Sequence, residues 1–273
     1  MASVNLDHVL TALASWQEVG SVFQLHPGDV GWQWRFGAEA TADALRVWER
    51  EAAIAAVGFV DGPTLRLAFA PAYAGNSNLA DAVIAGVPAD VTSVEAPQGT
   101  LVRERLASRG WRPGEEWVPL ERLLAAEVED CGLEVRIVDA NWVDDRVAVQ
   151  RAAFAGSTFD AERWRAMSDG PAYASARCLV GYDNDGVPVA AVTVWSAGEG
   201  RVGLIEPLGV HGDHRGRGYG RAMTLAAASA LRKLGAASAL VGTPKANVAA
   251  VATYASAGFM PRPAIADLER PTA

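Results

Sequence analysis

The second half of the chain carries two kinds of hydrophobic spacing in turn. Residues 133–138 place apolar side chains at every second position, the period of a strand with one buried face. An amphipathic helix is expected around residues 142–154, and a short one at 160–167. Residues 177–182 and 187–195 read as strands joined by Asp183-Asn184-Asp185-Gly186, whose Asp-Gly step favours a hairpin, and residues 202–210 form a third. From Tyr219 to Leu234 the apolar residues Met223, Ala227, Ala230, Leu231 and Leu234 recur at helical spacing until Gly235 stops the run. A brief strand at 239–242 precedes an Ala-rich helix at 247–257, ended by Gly258, the residue type that helix C-termini favour. The pattern predicts an α/β (α+β) fold with a mixed, mostly antiparallel sheet flanked by helices.

The first half repeats parts of this pattern, which points to duplication. Leu106-Ala-Ser-Arg-Gly-Trp-Arg-Pro113 lines up with Tyr254-Ala-Ser-Ala-Gly-Phe-Met-Pro261, and residues 65–71 resemble 205–212, each followed by a helix-like stretch. The polar segment Glu127-Val-Glu-Asp-Cys-Gly132 ends in glycine and marks the expected boundary. Two domains in tandem, 1–130 and 131–273, are therefore expected, in line with 273 residues at a typical domain size of about 150.

Composition narrows the class. Half the residues are hydrophobic and 21% are charged, which excludes disorder as the main state. The longest apolar stretches, such as 52–60, fall short of the roughly 18 residues of a membrane span, and residues 1–16 lack a basic leader before an apolar block. Cys131 and Cys178 form neither a disulfide framework nor a metal-ligand spacing, so the chain reads as cytoplasmic and without a metal. The net charge of −8 is uneven: residues 1–130 carry 9 Lys+Arg against 18 Asp+Glu, residues 131–273 carry 15 against 14. The acidic first half disfavours nucleic acid or an anionic membrane as partner, whereas clustered arginines in the second suit a small polyanion.

The densest chemical signal is Val210-His-Gly-Asp-His-Arg-Gly-Arg-Gly-Tyr-Gly-Arg221, between an expected strand and an expected helix. Such a turn leaves several backbone N–H groups pointing at one spot, reinforced by the positive end of the helix dipole. Gly216, Gly218 and Gly220 remove Cβ atoms that would block close approach, while Arg215, Arg217 and Arg221 add charge; the natural ligand is a pyrophosphate. A dinucleotide fingerprint fails because Arg221 stands where its third glycine belongs, and no Lys-Ser/Thr follows to complete a Walker loop.

Arg215-Gly216-Arg217-Gly218-Tyr219-Gly220 resembles the signature Arg/Gln-x-x-Gly-x-Gly/Ala of the GNAT superfamily of acyl-CoA-dependent N-acetyltransferases. A second element fits the same family: Asn247, Ala250, Tyr254, Gly258 and Phe259 match Asn-x-x-Ala-x-x-x-Tyr-x-x-x-Gly-Phe. The resemblance implies two GNAT-like domains in tandem, distantly similar in arrangement to the mycothiol synthases. It implies acetyl-CoA as cofactor, with CoA as product, and a primary amine of a small molecule or peptide as acceptor. It places Asn247 against the cofactor and the Tyr254 hydroxyl near the thioester sulfur, as general acid for the departing thiolate. It also implies that the strand at 202–210 splays from its neighbour, so that backbone groups of Leu208, Gly209 and Val210 pair with the pantetheine amides.

Glu206 interrupts an otherwise apolar strand, where partial burial raises a carboxyl toward the working range of a general base, and similar enzymes often place a catalytic glutamate there. An edge or ion-paired carboxylate is the other reading of Glu206, and a half-buried helix aromatic the other reading of Tyr254. His211 and His214 border the turn as solvated bystanders.

In the first half the segment corresponding to the turn is Pro71-Ala-Tyr-Ala-Gly-Asn-Ser-Asn-Leu79, with neither arginine nor Gly-x-Gly. That half reads as a degenerate, structural copy whose six tryptophans line an acceptor pocket or pack the interdomain face or the core, with core packing the expected role. A non-catalytic acyl-CoA-binding regulatory or scaffold protein is the alternative function, and the oligomeric state is open.

Overall fold

A computed structural model of the chain describes residues 5–271; residues 1–4, within the stretch read for a leader, and 272–273, at the end of the second expected domain, lie outside it. The first half runs through helices α1 (Leu6–Ser15), α2 (Pro27–Gln33) and α3 (Ala38–Ala44) into strands β1 (Leu45–Arg50), β2 (Ala53–Asp61) and β3 (Thr64–Phe69). Helix α4 (Ser77–Ala85), strand β4 (Ser93–Glu95), helix α5 (Leu101–Ser108) and the long strand β5 (Arg112–Leu123) complete it. The second half has β6 (Glu134–Ile137), α6 (Val143–Ala153), α7 (Ala161–Ser168), β7 (Ala176–Tyr182), β8 (Pro188–Ser196) and β9 (Val202–Val210). It closes with α8 (Tyr219–Lys233), β10 (Ser238–Pro244), α9 (Val248–Ser256), β11 (Met260–Pro261) and β12 (Ile265–Glu269). The strand expected at 202–210 is β9 without displacement, and the helix expected from Tyr219 is α8, stopped where Gly235 turns to φ +82°.

The strands form one mixed sheet in the order β1-β2-β3-β4-β12-β5-β10-β9-β8-β7-β6, with β11 beside β5. Two strands change sides. β12, last in the chain, pairs antiparallel with β4 and with the start of β5, whereas Trp117–Leu123 of β5 pairs antiparallel with β10. At about 3.3 Å per residue the 12-residue β5 is long enough to serve both halves.

Alternation along β9 divides the second-half core. Ile205 faces Met223, Ala227 and Leu231 of α8, whereas Leu204 belongs with Trp164, Met167 and Trp195 on the other side. The first half reaches that second side through α2. Gly28 and Gly31 of α2 lie flat against the indole of Trp195; a Cβ on Gly28 would sit 2.5 Å from Trp195 Cγ. His26, just before α2, accepts the Gly28 N–H at Nδ1 (2.9 Å) and donates from Nε2 to the Val202 carbonyl (3.1 Å). Burial holds its imidazole neutral, its pKa lowered from 6.5 to about 4.

Among the described residues no helix is long and apolar enough to cross a membrane. Gly28→Ala, which forces a methyl group into the Trp195 ring, is expected to cost about 1–3 kcal/mol of stability in urea denaturation. Gly75→Ala is the control, expected within about 0.5 kcal/mol of the parent, because a Cβ at Gly75 meets nothing within 4 Å.

Candidate active site

The sheet opens at two places. β9 and β10 run parallel and paired only from Val202–Leu204 against Ser238–Leu240, and β3 and β4 only from Thr64–Arg66 against Ser93–Glu95. Beyond those pairs the strands part. A cavity of about 490 Å³ lies there, lined from the second half by Glu206, Leu208, Asn247 and Tyr254, and from the first by Phe23, Asp61, Arg66, Glu95 and Trp117.

A bulge aims Glu206. Val192 of β8 pairs with Leu208 and Val194 with Ile205, so Glu206 and Pro207 together oppose Thr193. The Trp195 indole donates to the Glu206 carbonyl at 2.8 Å, which fixes the bulged backbone. The carboxyl side chain lies within reach of the charge of Asp29 of α2. Asp29 accepts from the His26 N–H (2.6 Å) and from Arg66 (2.8 Å), and Arg66 also donates to Glu95 (2.8 Å). Three carboxyl groups thus crowd around one guanidinium. Burial, then the negative charge of Asp29, pushes Glu206 up to about 8, against the opposing pull of Arg66. Burial likewise raises Glu95 to about 7, with Arg66 again opposing.

Tyr254 projects from α9 into the same cavity, and its hydroxyl makes no hydrogen bond among the described residues. Burial and the neighbouring Glu206 push it up to about 12, so it is a proton holder at neutral pH. Asn247 caps α9, its Oδ1 accepting the Ala250 N–H at 3.2 Å, and its side of the cap borders the cavity. Leu208, Gly209 and Val210 pair with β8 on one edge, and their other edge faces the gap left by β10.

The glycine-rich turn stands at the mouth of α8. Gly216 (φ +75°) and Gly218 (φ +86°) adopt the left-handed backbone that favours glycine, and Gly218 is the N-cap with no side chain to satisfy the first turn. The N–H groups of Gly216, Arg217, Gly218, Tyr219, Gly220 and Arg221 have no acceptor among the described residues, which leaves an anion-ready nest. Gly220 has a different duty: a Cβ there would stand 3.0 Å from Thr253 Cγ2, so it lets α8 approach α9. Of the arginines, Arg215 donates to the Ala153 carbonyl (2.8 Å), and Arg221 to the Ser256 carbonyl (2.9 Å) and toward Glu129. Arg217 makes no such contact among the described residues. The residues at hand fit a pyrophosphate through main-chain donors more than through arginine charge.

Residues 141–259 match the family model described as Acetyltransferase (GNAT) family, a span holding the turn, Glu206 and Tyr254. That segment is similar to GNAT acetyltransferase domains. The whole chain shares its fold with solved GNAT proteins. A GCN5-related N-acetyltransferase from Sphaerobacter thermophilus is 17% identical with a TM-score of 0.59, over 99% of this chain and 93% of that one. A GNAT-family acetyltransferase from Colwellia psychrerythraea is 17% identical with a TM-score of 0.61, over 98% and 97%. A tandem GNAT protein from the clavulanic acid biosynthesis pathway is 17% identical with a TM-score of 0.57, over 99% and 96%. No curated protein sequence matches the chain. The mixed α/β fold with a mostly antiparallel sheet, expected from the repeat, is that of the molecule, and a tandem GNAT protein shares it.

One expectation is corrected. The first half is more than a structural copy, because Phe23, Asp61, Arg66, Glu95 and Trp117 line the cavity and the charge of Asp29 acts on Glu206. The tryptophans divide accordingly: Trp16, Trp48 and Trp111 pack first-half cores, Trp32 packs with Phe159 of the second half, Trp34 packs on Gly170, and Trp117 borders the cavity. Sequence reasoning missed Asp29, Arg66 and Glu95. Arg66 had a signal, a charge interrupting the apolar run Leu65–Phe69 at the place that aligns with Glu206.

Glu206 also sets a pH dependence of stability. The unfolded chain ionises this carboxyl near its ordinary 4.5, whereas the folded protein keeps the proton to about 8, so the unfolded state binds fewer protons and stability falls as pH rises through that interval. His26 acts in the opposite sense, but only between about 4 and 6.5. From pH 6.5 to 8 the urea midpoint of the parent is therefore expected to fall, and Glu206→Gln, which mimics the protonated acid, to flatten that fall. Parallel slopes for the two proteins would show that the folded carboxyl is ionised throughout.

Proposed function

We propose that the protein is an acetyl-CoA-dependent N-acetyltransferase that moves the acetyl group directly to a primary amine of a small molecule or peptide. The observation carrying this reading is that an elevated carboxyl, Glu206, and an unpartnered tyrosine, Tyr254, line one cavity, while β9, the strand that carries Glu206, runs on into the turn before the uncapped mouth of α8. Acetyl-CoA, when bound, supplies an acetyl group activated as a thioester. The N–H groups of residues 216–221 bind its pyrophosphate, and the free edge of Leu208, Gly209 and Val210 orients its pantetheine arm along β9. Ionised Glu206 accepts the proton that an ammonium acceptor must lose before it is nucleophilic. Tyr254, protonated well above neutral pH, donates to the departing thiolate. In this reading residues 131–273 form the catalytic unit and 1–130 the degenerate one, each completed by a strand of the other. The degenerate unit has closed its own helix mouth: Asn76 Oδ1 accepts the Leu79 N–H at 2.9 Å where the second half leaves Gly218. The two free cysteines suit a cytoplasmic setting.

Measuring free thiol while acetyl-CoA and a mixed amine panel are incubated with the protein tests transfer itself; binding without thiol release by any amine would favour a regulatory acyl-CoA-binding module. Tyr254→Phe is expected to lower kcat about 10²-fold or more with little change in cofactor affinity, and an unchanged rate would remove its acid role. Gly218→Val is expected to abolish cofactor binding because a β-branched residue cannot hold φ +86°. In a thermal-shift titration it should lose the roughly 2.7 kcal/mol that ligand at 100 times its Kd adds to the parent.

A further inference from the structure

We propose that the acceptor carries a second cationic group besides the amine that is acetylated, so that the protein acts on a short aliphatic diamine or a comparable polycationic amine; this rests on the acetyl-transfer reading above. The first-half side of the cavity is the reason. Asp61 ends β2, Arg66 lies on β3, Glu95 ends β4, and Asp267 lies on the exchanged strand β12. Together with Glu206, four carboxyl groups line the cavity against the single guanidinium of Arg66, which is already clasped by Asp29 and Glu95 at 2.8 Å each. Arg66 is the one base in the lining; Arg35 acts on Asp61 and Glu206 and Arg103 on Asp267 from behind it, and the acids still outnumber the bases around this space.

Two further observations point to a missing ligand. Glu95 Oε1 is buried and has no hydrogen-bond partner. Tyr254 presents a hydroxyl with no hydrogen bond among the described residues to the same space. A buried carboxyl oxygen such as Glu95 Oε1 is ordinarily satisfied, and a ligand donor in this space would complete it. A metal ion does not answer the need, because among the described residues no three acidic, histidine or cysteine side chains converge on one point. The carboxyl groups are instead distributed over β2, β4, β9 and β12, which suits charges separated along an organic chain. Phe23, Trp117 and Ile265 offer that chain apolar surface, and aromatic faces attract ammonium groups. An acceptor bearing a carboxylate would set its negative charge among four acids, with only a neutralised arginine to meet it.

The elevated Glu206 and Glu95 agree with this. Burial is the main cause for each, but neighbouring acids raise both further, as expected of a site whose counter-cation is the substrate.

Thiol release from acetyl-CoA is to be compared for 1,4-diaminobutane, n-butylamine and 4-aminobutyrate, with calorimetric titration of the CoA-loaded protein by the same three amines. The expected result is a kcat/KM for 1,4-diaminobutane at least tenfold above that for n-butylamine, with 4-aminobutyrate below both. Asp61→Asn and Asp267→Asn are each expected to cut the diamine-to-monoamine ratio several-fold; Asp61 is exposed, so its variant keeps the test decisive if the other fails to fold. Equal kcat/KM for diamine and monoamine, a preference for 4-aminobutyrate, or no calorimetric binding of the diamine would overturn the second cationic site. Transfer to n-butylamine with no diamine preference would leave the acetyl-transfer reading standing. Tight diamine binding with no thiol release from any amine would sink that reading and leave the cation site intact.

Discussion

The structure hangs on the shared ladder of β5. Its first residues pair with β12 and its last with β10, so one run of backbone hydrogen bonds fixes the two halves edge to edge. In each half a parallel pair of strands parts after three residue pairs, and β5 holds both openings in one place. Neither half closes the cavity alone. Trp117, where β5 passes from one partner to the other, pairs with Pro244 on one side and Ile265 on the other, and all three line the cavity.

The two halves differ at corresponding points of their strand-turn-helix units. Where the second half leaves the start of α8 open at Gly218, the first half caps α4 with Asn76, so the same strand-turn-helix unit is a nest in one copy and a satisfied helix end in the other. Where the second half places Glu206 in an apolar strand, the first places Arg66. Asp29 links the two positions, accepting from Arg66 and raising Glu206 by its charge.

Much of this was legible in the sequence because it is local. Period-two runs, the Asp-Gly hairpin, Gly235 and Gly258 each report a backbone preference set by a few neighbouring residues, and β7 to α9 fall where those preferences put them. The cradle was legible for the same reason, since glycine at φ +75° and +86° and an uncapped helix start are properties of one turn. The arginines were less so: Arg215 and Arg221 reach carbonyls at Ala153 and Ser256, ends of helices that sequence spacing cannot place beside the turn. The exchange of β5 and β12 was not legible at all. A strand's period says which face is buried but nothing about which edge it will meet, and partners more than a hundred residues away leave no local mark.

The same long-range placement explains why the first half read as structural. Asp29 follows a Pro-Gly step at the start of a short helix, which is an ordinary capping position, and its aspartate does cap, accepting the His26 N–H. Only the flat packing of Gly28 and Gly31 on Trp195 brings that cap to Glu206, while the Trp195 indole holds the Glu206 carbonyl from the other direction. One aromatic ring therefore sets the position of both members of the carboxyl pair. Burying such a pair costs stability, because two acids in a dry site must share a proton or a counter-ion. That cost falls at the cavity, where Glu206 is raised to about 8 beside Asp29. It does not fall at His26, three residues before Asp29, whose neutral ring, bonded at both nitrogens, is held near pKa 4. The same joint therefore holds a histidine locked neutral by its hydrogen bonds and a glutamate whose proton is held by burial, and only the second borders the open space between the halves.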